Sequence, residues 1–145
     1  MFLQVHTESD RLAIWRKFRQ TFPKDGTPEM VAEAFSNVKL ETRYLDYYTP
    51  EDWLDVFEIV KLGYFCQSGL TLIITATLLH LKLVNPPELR FDVVSNHITG
   101  TIGLIFVCDG RCYNFLPGEI VSEEFARNNS TLFGKHIIAV DKFSH

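Results

Sequence analysis

Cys66, Gln67, Ser68 and Gly69 stand directly ahead of a long apolar run in GYFCQSGLTLIITATLL, residues 63 to 79. A thiol two residues before a helix-capping serine lies where the positive end of the helix dipole favours a thiolate. Such a thiolate attacks carbonyls when a histidine moves the proton and helix-start amides steady the oxyanion. Two downstream histidines qualify as the base. His97 falls near a strand start, and His136 opens the last predicted strand. Asn114 is the candidate orienting group, with Asp141 a second partner for His136. The bland reading of Cys66 is a small buried residue, because unpaired cysteine is among the most buried residue types.

A cysteine opening an apolar helix, followed by an antiparallel sheet with a histidine near a strand start, resembles the papain and transglutaminase class of folds. The likeness spans residues 64 to 115 and rests on Cys66 and a choice of histidine, with Asn114 following His97 at about the separation papain-like enzymes use between histidine and asparagine. It implies a thiol hydrolase, deamidase or acyltransferase with Cys66 as nucleophile, His97 or His136 as base and Asn114 as orienter. Two features depart from it. Leu116 stands where a transglutaminase-like pattern wants an acid, and a tight Asp109-Gly110 turn puts Ile105 opposite Asn114, eight positions from His97. That is roughly 26 Å of strand. A bulge at Gly100 or Gly103 would be needed to turn His97 toward the helix.

The elements that must position these groups follow from periodicity and caps. Thr7 or Ser9 starts a helix with Leu12, Trp15, Phe18 and Phe22 on its inner face, stopped by Pro23. Thr27-Pro28 starts a second. Thr49-Pro50-Glu51-Asp52 joins a capping hydroxyl, a proline at the first helical position and first-turn carboxylates, and predicts a helix closed by Gly63. The central helix is expected from Leu70 to about Leu83, capped by Ser68 and ended by Asn85-Pro86-Pro87.

From residue 88 the chain reads as strands. Ser95-Asn96 and Asp109-Gly110 are turn signals that divide residues 88 to 117 into a three-run meander. Two-residue loops would set Val93 against Ile98, Leu89 against Ile102, Phe106 against Tyr113 and Leu104 against Phe115, all on one face. The other face is mixed. A short helix around residues 122 to 126 and a strand from about Lys135 to Asp141 complete one α+β domain over residues 1–145, with N-terminal helices, a buried central helix and a meander sheet.

Composition bounds the function. The net charge is −4, with no basic stripe beyond Arg11, Arg16, Lys17 and Arg19, read as a solvated helix face, so nucleic acid is not an expected partner. Leu62 to Leu81 lacks Asp, Glu, Lys and Arg but carries Gln67, Ser68, His80 and threonines, which suits a core helix better than a membrane span. MFLQVHTESD has neither the basic start nor the apolar stretch of a secretory signal, and three cysteines without framework spacing suit a reducing, cytoplasmic setting.

No metal or other cofactor is expected, since Cys108 and Cys112 would project from opposite faces and two thiolates fall short of a zinc site. The carboxylates at Glu51, Asp52 and Asp55, and at Glu119, Glu123 and Glu124, read as caps and dipole compensation. Arg43, Tyr44, Asp46, Tyr47 and Tyr48 form a tyrosine-rich stretch of the composition found at protein interfaces, or of a half-buried strand. The leading expectation is a small soluble binding or regulatory protein acting through contacts with another protein. The thiol enzyme is the alternative.

Overall fold

The computed structural model describes residues 7–40, 46–53, 55–63 and 65–143. Helix α1 (Glu8–Thr21) starts at Thr7, whose Oγ1 accepts from the Asp10 amide at 3.2 Å. Its buried Trp15 donates Nε1–H to Thr77 Oγ1 of the central helix at 2.9 Å. Of the N-terminal basic group, Arg11 caps a neighbouring helix end, donating Nε to Val60 O at 3.0 Å and Nη2 to Lys61 O at 2.6 Å. Arg19 lies over the Trp15 ring, 4.0 Å from its centroid. Two of these cations therefore hold the fold, where the sequence predicted a solvated face.

Helix α2 (Pro28–Ala34) has Thr27 at its N-cap. The helix expected from Thr49 is split. Pro50–Asp52 makes one 3₁₀ turn, then Trp53 adopts extended dihedrals, buries its ring and donates Nε1–H to Asp46 O at 2.7 Å. Helix α3 (Val56–Leu62) begins afresh at Asp55, which accepts from the Phe57 amide, and closes at left-handed Gly63 as predicted.

Helix α4 (Gln67–His80) starts and stops earlier than expected, because Cys66 is its N-cap and Ser68 is used elsewhere. It ends before the prolines in a Schellman motif. Lys82 takes φ 58°, Lys82 N donates to Leu79 O and Leu83 N to Leu78 O. No described helix is long and apolar enough to cross a membrane.

Five antiparallel strands follow in the spatial order β4-β3-β2-β1-β5. They are β1 (Glu88–Asn96), β2 (Ile102–Cys108), β3 (Arg111–Tyr113), β4 (Ile120–Ser122) and β5 (Ser130–Ala139), with α5 (Glu123–Asn128) between the last two. Asp109-Gly110 is the predicted tight turn, both residues having positive φ, and Phe106 faces Tyr113.

The first predicted loop is wrong. Ser95 and Asn96 remain in β1, and Asn96 Oδ1 accepts from the amides of Ile98 and Thr99 to organise a longer connection. Val93 consequently faces Leu104 rather than Ile98. The shift is even, so Leu89, Phe91 and Val93 still point inward, whereas Ile98 and Ile102 end up 51% and 44% exposed. Nor does Leu104 face Phe115, since β3 ends at Tyr113 and the two residues lie in different cores.

The sheet has a packed layer on each side. Trp15, Ile59, Phe65, Leu72 and Leu78 close over Leu89, Phe91, Leu104 and Phe106 on the helical side. On the opposite face Val94, Ile105, Val107, Cys112 and Phe115 gather under Ala126 of α5. The fold is α+β, as the sequence implied.

Candidate functional site: the start of helix α4 at the open edge of strand β2

Strand β3 leaves the sheet after Tyr113, where Asn114 adopts φ 67°. The edge of β2 beyond that point needs other partners, since buried backbone groups are almost always hydrogen-bonded. The first turn of α4 supplies them. Ser68 Oγ accepts from Leu104 N at 3.1 Å, and Leu104 O accepts from Gln67 Nε2 at 2.7 Å and Thr71 Oγ1 at 2.8 Å.

Asn114 closes the arrangement. Its Nδ2 donates to Gln67 O at 3.1 Å and Thr71 Oγ1 at 2.8 Å, while its own carbonyl accepts from Gln67 Nε2 at 3.2 Å. The helix approaches so closely that a Cβ at 103 would lie 1.9 Å from Gln67 Oε1 and would have to displace that amide. Gly103 is thus a packing glycine. The register from Arg90–Val107 to Ser95–Ile102 runs unbroken past it, so no bulge turns His97.

Cys66 caps α4 with its sulfur, which accepts from the Gly69 amide at 3.4 Å, and is buried with Phe65 and Leu70 in the helical core. Asn114 is the sequence-selected residue brought to the same helical turn. His97 lies exposed in the β1–β2 connection, its Nε2 2.8 Å from Thr131 Oγ1 and its amide bonded to Asn129 O. His136 projects from the inner side of β5, opposite Phe91, donating Nε2–H to Tyr47 O at 2.8 Å with its ring edge-on to Trp53. Asp141 lies in the 3₁₀ turn after β5.

That histidine contact anchors the tyrosine-rich stretch. Asp46 Oδ1 accepts from the Tyr48 amide, the Tyr47 and Tyr48 rings lie 4.8 Å apart, and Tyr48 is exposed. Burial, together with neighbouring Tyr48 and Asp46, raises the Tyr47 phenol above its ordinary pKa. Arg43 and Tyr44 lie outside the described residues.

Cys108 and Cys112 belong to opposite cores, and burial pushes them up to about 11 and about 12 respectively. Among the described residues no three His, Cys, Asp or Glu side chains form a group able to hold a metal.

Beside the first turn of α4 opens a cleft of about 160 Å³. Phe35, Val38, Leu40, Leu70, Phe115 and Pro117 supply apolar walls, and Ser36, Gln67, Thr99, Thr101 and Asn114 supply the polar groups. No titratable side chain is among these lining residues, and Cys66 is not one of them. The Gln67–Thr71–Asn114 lock escaped the sequence reading. Its one visible signal was a glycine inside a strand, which marks a close approach as often as a bulge.

Neither a family model nor a curated protein sequence matches this protein. Among solved structures its fold is similar to that of Legionella pneumophila LapG in a calcium-bound form. The TM-score is 0.67 at 14% identity, over 94% of this chain and 81% of that one. At this identity the likeness is one of fold. It transfers no residue, and the calcium belongs to LapG.

Proposed function

We propose that the protein is a binding or regulatory module that takes an uncharged, partly apolar segment of another protein into the cleft beside α4. The observation that carries this reading is the chemistry of the lining, which among the described residues is six apolar side chains with amides and hydroxyls and no titratable group. Proton transfer needs an acid or base within reach of the reacting atom, whereas recognition of a neutral segment needs apolar surface and a few placed polar groups. Two of the polar groups, Gln67 and Asn114, are already oriented by their mutual hydrogen bonds, which lowers the entropy cost of binding. Exposed Tyr48 offers a second contact surface beyond the cleft.

A specific observation favours the thiol hydrolase as a second reading. Cys66 caps α4 and Asn114 rests against the same turn, a layout with which the likeness to LapG is consistent. Iodoacetamide alkylation, followed for each cysteine by mass spectrometry from acid to mildly alkaline pH, separates the two. The binding reading expects Cys66 to react only when the protein unfolds, at a rate indifferent to His97→Ala and His136→Ala. Rapid alkylation that slows in either variant makes Cys66 a nucleophile and overturns it. For recognition itself, a displayed library of neutral peptides should yield binders that Thr101→Arg, which puts a cation at the cleft, rejects.

A further inference from the structure

The face of the sheet away from the long helices carries a second pocket, of about 140 Å³, between the strands and α5. Its ionic groups are unevenly matched. Asp92, nearly buried, has both oxygens held by Arg90, Nε to Oδ1 at 3.0 Å and Nη2 to Oδ2 at 2.9 Å. Glu123 Oε2 accepts from Arg90 Nη1 at 3.3 Å and from Arg127 Nη2 at 3.1 Å. Two arginines and two carboxylates therefore cancel. Lys135, which lies opposite Asp92 in the β1–β5 pairing and lines the same pocket, makes no ion pair among the described residues.

We propose that this pocket binds the carboxylate of a small apolar acid. One positive charge is left over, so the complement is a monoanion, and a cation would be repelled by Lys135 and Arg127. Arg127 holds Glu123 through a single nitrogen and is 70% exposed at its side chain, so its remaining donors stay available beside the lysine. Behind these cations Val94, Ile105 and Leu132 supply an apolar lining. A cavity of about 140 Å³ is close to the size that accepts a benzene ring. Phosphate is the poorer fit. It brings nearly two charges near Asp92 and Glu123 and leaves the apolar wall without a partner. The site is on the other face from the α4 cleft and is independent of what that cleft does.

The test is a ¹H–¹⁵N NMR titration of the whole 145-residue chain with benzoate, benzamide, inorganic phosphate and N-acetyl-leucine. Benzoate should shift the amides of Val94, Ile105 and Leu132, and benzamide should not. Lys135→Met and Arg127→Met, both at exposed positions, should keep the folded spectrum and each weaken benzoate by about tenfold, the worth of one charge-assisted hydrogen bond. A response to N-acetyl-leucine at similar concentration identifies the terminal carboxylate of a peptide as an acceptable source, and a response to benzoate alone identifies a free acid. The proposal is overturned by an absence of shifts, by equal shifts with benzamide or phosphate, or by benzoate affinity unchanged in Lys135→Met.

Discussion

The cleft beside α4 and the pocket beneath α5 lie against the same sheet and are held together by opposite means. At the cleft, the neutral side chains of Gln67, Ser68 and Thr71 complete the backbone of β2 where β3 departs, and Asn114 braces Gln67 and Thr71. At the pocket, Arg90 binds two carboxylates at once, one of them nearly buried. Neutral hydrogen bonds make geometry rigid and insensitive to salt. A partly buried ion pair is tolerant of geometry, but losing one partner is severe because the other charge stays behind. The contrast suits a cleft that presents a fixed neutral surface and a pocket that responds to charge.

The largest effect should come from the charged side. Arg90→Met leaves Asp92 without its bidentate partner and should cost about 3 kcal/mol in urea denaturation, with Arg90→Met/Asp92→Asn recovering part of it. A cost no greater than that of an exposed surface pair breaks the comparison, because Asp92 would then be solvated.

Next comes Gly103→Ala, which displaces the Gln67 amide from Leu104 O and Asn114 O and should cost about 2 kcal/mol. Adding Gln67→Ala should make the pair less damaging than the sum of the two. The Gly103→Ala loss should also be the same at low and high salt, whereas that of Arg90→Met should change.

The smallest effect is an alkaline one and sharpens the contrast between the two cores. Cys112 is pushed up to about 12 from an ordinary 9.0, first by burial and then by Glu123 and Asp92. Above pH 9.0 the unfolded state has lost this proton while the folded state keeps it, so the unfolded state binds fewer protons and stability falls as pH rises toward 12. Cys112→Val should flatten that decline in a pH series of denaturation midpoints. Cys108→Val, whose thiol is raised only to about 11, should flatten it less.

Elements whose signals are local were legible in the sequence. Thr7, Thr27-Pro28, Gly63 and Asp109-Gly110 act within a few residues, and each marks the boundary it predicts. The strongest helix signal, Thr49-Pro50-Glu51-Asp52, yielded a single 3₁₀ turn because burying Trp53 and bonding its indole to Asp46 outweighed the propensity of the segment. Ser95-Asn96 looked like a turn and is strand, since Asn96 donates Nδ2–H to Phe115 O at 2.7 Å and organises a loop further on.

The candidate site was legible in part. Cys66 at the head of α4 could be anticipated, but the contact of Asn114 with that helix could not, because it depends on β3 leaving the sheet after Tyr113. Nor could the positions of His97 and His136, because the first depends on a loop length and the second on which strand borders β1.

By itself, then, the sequence determined the α+β class, the central apolar helix with Cys66 at its start, and the inward set of Leu89, Phe91 and Val93. All of these follow from composition, caps and a two-residue period that survives an even slip in register. Only the tertiary structure decided that β3 departs after Tyr113 and that α4 fills the gap. Only it decided that His97 and His136 are bonded away from the start of α4, to Thr131 and to Tyr47, and that Lys135 faces an ion pair already complete. Each of these depends on contacts between residues tens of positions apart, where conformational entropy and packing, rather than local preference, select the partner.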